Sequence, residues 1–186
     1  MRVSGYQSIP VDVTLNRAVM RALERFARNS KLLSLLDRAG LERLAASGGI
    51  EHREEGENIV VQGERGQTFY LLVAGNVRVL VRDAQGEREV ATLDPGNFFG
   101  EIGTLTEQPR SATVHCVTPV ELVVFERLPV LNVLMDYPAA REVIGEVGLA
   151  RSEENQRAQF GQGLAEALED DDDEIGGLAD LLEGPE

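Results

Sequence analysis

Apolar residues follow a helical period near both ends of the chain and a strand pattern in the middle. From Thr14 to about Asn29 they recur at helical spacings, which predicts an amphipathic helix. Its apolar positions are Val19, Met20, Leu23, Phe26 and Ala27. A leucine stripe over residues 31–49 predicts further helix, which Gly48 and Gly49 are expected to end. The residues before Thr14 show no clear period.

Between Ile50 and Glu126 the apolar segments become short, β-branched and separated by turn residues. The predicted strands are residues 58–62, 68–75, 76–83, 88–93, 111–117 and 120–126. Short strands at regular spacing, without helices between most of them, are typical of a closed or two-layered antiparallel roll of jelly-roll type. The interruption at residues 98–106 is too short and too rich in glycine for an ordinary strand. We therefore predict a mostly β fold with flanking helices.

The helical period returns after Arg127, and Pro138 is expected to break or restart the helix. Six consecutive acidic residues, 169–174, would repel one another in a fixed helix, so we expect a disordered tail. The predicted organisation is an N-terminal extension with an amphipathic helix over residues 1–30, one domain over residues 31–160, and an acidic tail over residues 161–186.

Charge and composition narrow the classes of function. The net charge is −14, and residues 164–186 hold ten acidic residues and no basic one. Without a concentrated basic face, nucleic-acid binding is disfavoured, because phosphate neutralisation supplies most of that affinity. No apolar run approaches the roughly 20 residues that span a bilayer, and no signal peptide is visible, so we expect a cytoplasmic protein without a membrane segment. The single cysteine, Cys116, is expected to be buried in a strand.

Residues 96–114, GNFFGEIGTLTEQPRSATV, connect two predicted strands and carry the candidate chemistry. Gly96 is expected in a tight turn, and Gly100 at a positive φ or a close backbone approach before a short helix. Arg110 offers a planar fork that suits phosphate oxygens. Strand alternation would place Ser111 and Thr113 on the face opposite Arg110, unless the strand starts irregularly. The spacing therefore predicts an anion site, with Ser111 the nearer partner of Arg110.

The string FFGEIGTL…PRSATV resembles the phosphate-binding cassette of the cyclic nucleotide-binding domain family. Further marks of that family follow in its order over residues 31–138, namely a leucine-rich lead-in helix, glycines at the turns of the roll, LDPGNFFGE, and DYP in the helix after the roll. The resemblance implies an antiparallel β-roll of the double-stranded β-helix type, with N-terminal helices and C-terminal lid helices.

The resemblance also implies a set of ligand-binding residues. These are Gly100, Glu101, Ile102, Arg110, Ser111 and Ala112. Glu101 would accept a hydrogen bond from the ribose 2′-hydroxyl, Arg110 would pair with the cyclic phosphate, and the backbone N–H groups of Ile102 and Ala112 would complete the phosphate cradle. Without ligand, Glu101 is expected to pair with Arg110 and so offset part of the cost of burying either charge.

The ligand implied is cyclic AMP (cAMP) or cyclic GMP (cGMP). A hydroxyl after the arginine, here Ser111, occurs in family receptors for both nucleotides, and as threonine especially in those that favour cGMP, so we favour cAMP. The helix after Leu128 is expected to close over the base as an apolar lid. Leu149 and Arg151 lie in the helix expected to reach the base, outside the predicted ligand set.

Other chemistry has weaker support. His52 and His115 are isolated from each other and from any cysteine ligand pair, so no metal site is predicted. No nucleophile motif and no P-loop are present, and a cofactor is not implied. We expect a receptor, not an enzyme, that signals through its flanking helices to a protein partner or by self-association as a homodimer. The alternative is a nucleotide-free interaction module whose terminal helix and acidic tail make the contacts.

Overall fold

A computed structural model describes residues 13–106 and 108–179 of the chain. Its helices are α1 (Val13–Ala27), α2 (Arg38–Ser47), α3 (Glu101–Thr106), α4 (Arg127–Asp136) and α5 (Pro138–Ala179), with a 3-10 turn at Leu33–Leu35. Its strands are β1 (Gly48–Arg53), β2 (Asn58–Val60), β3 (Thr68–Ala74), β4 (Val77–Arg82), β5 (Glu87–Leu93), β6 (Phe98–Phe99), β7 (Thr113–Cys116) and β8 (Val120–Glu126). Residues 1–12 of the predicted extension and 180–186 of the predicted tail lie outside the described residues.

The strands form two four-stranded antiparallel sheets, in the orders β1-β8-β3-β6 and β2-β7-β4-β5. The predicted antiparallel roll with flanking helices is thereby confirmed. The structure adds β1 and the two-residue β6 to the predicted strands. Gly48 caps the C-terminal end of α2, as predicted, and also begins β1. A Cβ at this position would lie 2.8 Å from Val19 Cγ1 of α1.

Strand β3 separates two hydrophobic clusters. Phe69, Leu71 and Val73 face the helices, whereas Tyr70 and Leu72 face the interior of the roll. This alternation follows from the two-residue period of a strand, and it makes β3 buried on both faces. On the helical side, the cluster includes residues of α1, α2, α4 and α5, so the N-terminal helix shares a core with the roll.

The second sheet is less completely covered. Along β4, Val77 and Val81 are fully buried, while Arg78 and Arg82 are exposed. The apolar side chains of Val79 on β4 and of its neighbours on β5 are half-buried, because they line a cavity rather than the core. The interior of the roll is therefore filled on the β3 side and open on the β4–β5 side.

The helical segments differ in detail from the sequence prediction. Residues 31–49 do not form one helix, because the Asp37 carboxylate caps a new helix by accepting a hydrogen bond from the Gly40 backbone N–H at 2.8 Å. Helix α5 begins at Pro138, as predicted, since proline suits the first position of a helix. Cys116 is fully buried in β7 as predicted, and burial raises the pKa of its thiol.

Helix α5 continues through Ala179, into the residues for which the sequence predicts a disordered tail. That tail, over residues 161–186, stays a prediction. Residues 164–169 are all leucine, alanine or glutamate, which are strong helix formers. Like-charge pairs one turn apart on a helix cost only about 0.2–0.5 kcal/mol each. A helix that starts against the roll can therefore extend into the acid run. The boundaries of the three predicted regions remain a prediction.

Candidate functional site

The connection between β5 and β7 is shaped by glycines with positive φ. Gly96 has φ +97° and Gly100 has φ +85°, as the sequence predicts for the turn and for the close approach. The backbone at Gly100 lies very close to its neighbours, since a Cβ there would be 2.7 Å from the Thr68 carbonyl oxygen and 2.9 Å from Arg110 Nη1. Gly100 therefore lets the backbone pass directly beside the arginine before α3 begins.

Arg110 is held by neutral acceptors and is 6% exposed. Its Nη1 donates to the Gly100 carbonyl oxygen at 3.0 Å, and its Nη2 donates to the carbonyl oxygen and the hydroxyl of Thr68, both at 2.9 Å. On the other side, a Cβ at Gly66 would lie 2.8 Å from Nη2. Two glycines thus make the slot in which the guanidinium lies.

Burial lowers the pKa of Arg110, and the nearby Tyr70 and Glu101 side chains partly oppose that shift. An arginine nevertheless stays protonated in a protein. Within the described residues, no carboxylate forms an ion pair with Arg110. A buried cation without an anionic partner is costly, so this arrangement favours an anion in contact with the guanidinium.

Glu101 pairs with a different arginine from the one that the sequence predicts. It is 2% exposed, and its Oε1 accepts a hydrogen bond from Arg151 Nη1 of α5 at 3.0 Å. The same Nη1 donates to the Phe98 carbonyl oxygen at 2.6 Å. The predicted ion pair between Glu101 and Arg110 is therefore wrong, and Arg151 is the partner of Glu101. Proximity in sequence is misleading here, because the two Nη atoms of Arg110 already bind Gly100 and Thr68.

Ser111 contacts α5. Its Oγ accepts a hydrogen bond from Asn155 Nδ2 at 2.9 Å, whereas Thr113 Oγ1 accepts from the backbone N–H of Gln62. Strand alternation does not separate Ser111 from Arg110, because β7 begins only at Thr113. Arg110 and Ser111 accordingly line the same cavity, whereas Thr113 does not line it. That Ser111 is the nearer partner of Arg110 stays a prediction.

These residues surround a cavity that is open to solvent. All six sequence-predicted site residues line it: Gly100, Glu101, Ile102, Arg110, Ser111 and Ala112. The apolar wall comes from the strands and consists of Val60, Val79, Val90, Ala91, Leu93 and Val114. The cavity thus has a charged end at the β5–β7 connection and an apolar wall across the roll.

Helix α5 supplies the third side of the cavity, with Arg151, Glu154 and Asn155. This side is polar, and Leu149 is 64% exposed. The apolar lid over a bound base stays a prediction. The sequence prediction omits Asn155 and leaves Arg151 outside the ligand set. A usable signal was the helical spacing of Gly148, Arg151 and Asn155, which places them along one side of a helix. At Gly148 this side lies close to α3, since a Cβ there would make an ordinary contact, 3.5 Å, with Glu101 Cγ.

Neither a metal-binding cluster nor a membrane-spanning helix is found in the part of the chain that the structure describes. Within residues 13–106 and 108–179, no group of three or more histidine, cysteine, aspartate or glutamate residues is arranged to hold a metal ion. None of the helices described there is both long enough and apolar enough to cross a bilayer.

Comparisons with known proteins agree with the fold. Residues 50–137 match the family model described as "Cyclic nucleotide-binding domain". The cAMP-dependent protein kinase regulatory subunit of Debaryomyces hansenii is 32% identical over 115 residues, which are 62% of this chain and 24% of that protein. The subunit of the same name from Dictyostelium discoideum is 32% identical over 128 residues, which are 66% of this chain and 38% of that protein.

A solved structure extends the comparison. The regulatory domain of Toxoplasma gondii PKA, crystallised with cAMP, has a TM-score of 0.58 and 26% identity, and the match covers 66% of this chain and 46% of that one. The chain spans less than two fifths of the length of either curated relative. The matched segment includes strands β2 to β8, Glu101 and Arg110. Residues 50–137 of this chain are therefore identified as a cyclic nucleotide-binding domain.

Proposed function

We propose that the cavity binds a cyclic mononucleotide, cAMP in preference to cGMP, and that its occupancy is passed through the flanking helices to a protein partner. The observation that carries this proposal is Arg110, a buried guanidinium at the wall of the cavity that has only neutral acceptors among the described residues. A cyclic phosphate carries one negative charge and would supply the missing counter-ion. The preformed slot between Gly66 and Gly100 keeps the cation in place before the ligand arrives.

The sugar would lie against Glu101. A ribose hydroxyl is a hydrogen-bond donor, and an ionised carboxylate is a strong acceptor. Arg151 occupies Oε1 of this carboxylate, which fixes its orientation and offsets its charge. The 2′-hydroxyl would distinguish a ribonucleotide from its deoxy form, because a deoxy ligand would leave the buried carboxylate with one hydrogen bond fewer. Ile102 and Ala112 line the cavity beside Glu101 and Arg110, where their backbone N–H groups would reach the phosphate.

The base would lie along the apolar wall of the roll. Adenine has fewer polar edge groups than guanine, and each polar group buried without a partner costs about 1–3 kcal/mol. The valine-rich wall therefore favours adenine. The names of the curated relatives, which are regulatory subunits of cAMP-dependent kinases, support the same choice.

Titration calorimetry of the purified chain with cAMP and cGMP tests this proposal. We expect heat of binding with both nucleotides and tighter binding of cAMP. Arg110→Ala should weaken binding by about two orders of magnitude or more, because truncating one partner of a buried charge pair costs about 2–5 kcal/mol. Arg82→Ala is the matched control, since the Arg82 side chain is 73% exposed and lies outside the cavity. Unchanged affinity in Arg110→Ala would overturn the assignment. No heat with either nucleotide would favour the nucleotide-free interaction module.

A regulatory and non-catalytic role rests on α5. This helix carries cavity-lining residues and continues to Ala179, so a partner or a second copy of the chain could sense the cavity through it. Hydrogen exchange with and without cAMP tests the link, and we expect slower exchange over residues 148–159 in the bound form. Deletion of residues 164–186 should leave nucleotide affinity unchanged, because the cavity-lining residues end at Asn155. Partner binding, if the acidic tail carries it, should be lost in that deletion.

A further inference from the structure

Asn155 stands out among the residues of α5. Its side chain is buried, with 8% exposure, although residues 153, 154, 156 and 157 are exposed. The buried polar residues of the described chain are Glu101, Arg110, Thr113 and Asn155, and three of these line the cavity. An amide is costly to bury unless it is hydrogen-bonded. The bond from Asn155 Nδ2 to Ser111 Oγ therefore has a structural reason and lies at the candidate site.

The direction of that bond determines what Ser111 can offer to a ligand. An amide nitrogen donates and does not accept, whereas a hydroxyl has one proton and two lone pairs. When Ser111 Oγ accepts from Asn155, the hydroxyl proton must point elsewhere. Ser111 follows Arg110 and lines the same cavity, so the proton can point towards an anion that contacts the guanidinium.

We propose that Asn155 is a positioning residue that directs the Ser111 hydroxyl proton into the cavity, where it donates to the phosphate of the bound nucleotide. This inference rests on the proposed function. It adds a hydrogen-bond chain from the phosphate through Ser111 to α5. A hydroxyl that donates to a charged oxygen becomes a better acceptor, so the bound phosphate strengthens the Ser111–Asn155 bond. Occupancy is thus communicated to α5 by a polar contact.

Aspartate at position 155 would reverse the bond. It has nearly the shape of asparagine but only accepts hydrogen bonds when ionised, so the Ser111 hydroxyl would donate to it and turn away from the ligand. Leucine at the same position has a similar size and leaves the hydroxyl free to rotate. Aspartate also brings a negative charge towards the phosphate. That contribution is present whether or not Ser111 is there, so Ser111→Ala measures it separately.

The experiment is a double-mutant cycle with cAMP as the probe and calorimetry as the readout. With Ser111 present, Asn155→Asp should weaken binding by about ten- to hundredfold and more than Asn155→Leu does. With Ser111→Ala, the additional loss caused by Asn155→Asp should be smaller by about tenfold. Melting temperatures of the ligand-free proteins are measured in parallel. A residue that only packs α5 on the roll would change these temperatures without making the nucleotide affinity depend on Ser111.

The possible results separate this inference from the proposed function. If the natural chain binds cAMP and Arg110→Ala abolishes binding, but the loss from Asn155→Asp is the same with Ser111 and with Ser111→Ala, the positioning role is wrong and the nucleotide site stands. If the natural chain binds neither nucleotide, both are wrong. A loss that depends on Ser111 supports the positioning role.

Discussion

The roll and helix α5 both place arginines at the cavity, but they hold them by different means. Arg110 is fixed by carbonyl oxygens, a hydroxyl and two flanking glycines, all within the roll and its connections. Arg151 is fixed by the Glu101 carboxylate and the Phe98 carbonyl oxygen, so its position depends on where α5 lies. The difference suggests a division of roles, in which the roll provides a preformed anion site and α5 responds to what occupies it.

Among changes to the part of the site that the roll provides, Gly100→Ala should have the largest effect. Its Cβ would contact the Thr68 carbonyl oxygen and Arg110 Nη1 at less than 3 Å, and its φ is positive. We expect a loss of about 1–3 kcal/mol in the free energy of unfolding and at least tenfold weaker binding of cAMP, because Arg110 must move. Urea unfolding and calorimetry check the two effects.

Gly56→Ala is the matched control for that substitution. Gly56 has nearly the same φ, +87°, but a Cβ there would meet nothing within 4 Å. It should show the backbone strain without the loss of affinity. Equal losses of affinity in Gly56→Ala and Gly100→Ala would contradict the slot around Arg110.

The corresponding change in the part of the site that α5 provides is Arg151→Leu. It removes the partner of a carboxylate that is 2% exposed and leaves that charge buried. We expect the free energy of unfolding to fall by about 1–3 kcal/mol and cAMP affinity to fall by less than in Arg110→Ala. Arg157→Leu is the control, because the Arg157 side chain is 82% exposed and such pairs contribute less than about 1 kcal/mol. A larger loss of affinity from Arg151→Leu than from Arg110→Ala would reverse the proposed division of roles.

A milder change tests how closely α5 lies on the roll. Gly148→Ala would place a Cβ 3.5 Å from Glu101 Cγ, an ordinary contact, while alanine favours helix over glycine by about 1 kcal/mol. We expect a small gain in stability, measured by thermal unfolding, with nucleotide affinity retained. Gly145→Ala meets nothing within 4 Å and should give the helix gain alone. A marked destabilisation by Gly148→Ala but not by Gly145→Ala would show that α5 packs more tightly than described.

The smallest expected effect concerns the junction of α4 and α5. The Tyr137 hydroxyl donates to the Asp37 carboxylate, which lowers the pKa of Asp37 below 3.8 and raises that of Tyr137 above 10.0. A raised pKa in the folded state stabilises the fold below the unfolded value and loses that contribution as the pH rises through the folded value. Tyr137→Phe should therefore be less stable than the natural chain at pH 7, and the difference should shrink as the pH is raised well above 10.0. A difference in unfolding free energy that is independent of pH would exclude the phenol as its source.

The part of the site that the roll provides and the part that α5 provides also differ in how far the sequence predicts them. The part of the site that the roll provides lies in one continuous stretch of sequence. In that stretch Gly100 needs a positive φ, and Arg110 directly follows Pro109. Such local chemistry can be recognised before the fold is known. The roll itself follows from short β-branched segments and their turns, although β1 was missed because it starts with two glycines.

The part of the site that α5 provides depends on where this helix packs against the roll in the folded chain. Arg151 lies 50 residues after Glu101, and Asn155 lies 44 residues after Ser111. Helical spacing places Arg151 and Asn155 along one side of α5, but it does not say which part of the roll that side meets. The expected pair of Glu101 with Arg110 was wrong for the same reason, since the true partner comes from a distant helix.

The central claim is that Arg110 holds the phosphate of a cyclic nucleotide. A crystal structure of the natural chain grown with cAMP tests it most directly. The account predicts a phosphate oxygen within hydrogen-bond distance of the Arg110 guanidinium and the ribose 2′-hydroxyl on the Glu101 carboxylate. A nucleotide bound elsewhere, with Arg110 still joined only to Gly100 and Thr68, would contradict it.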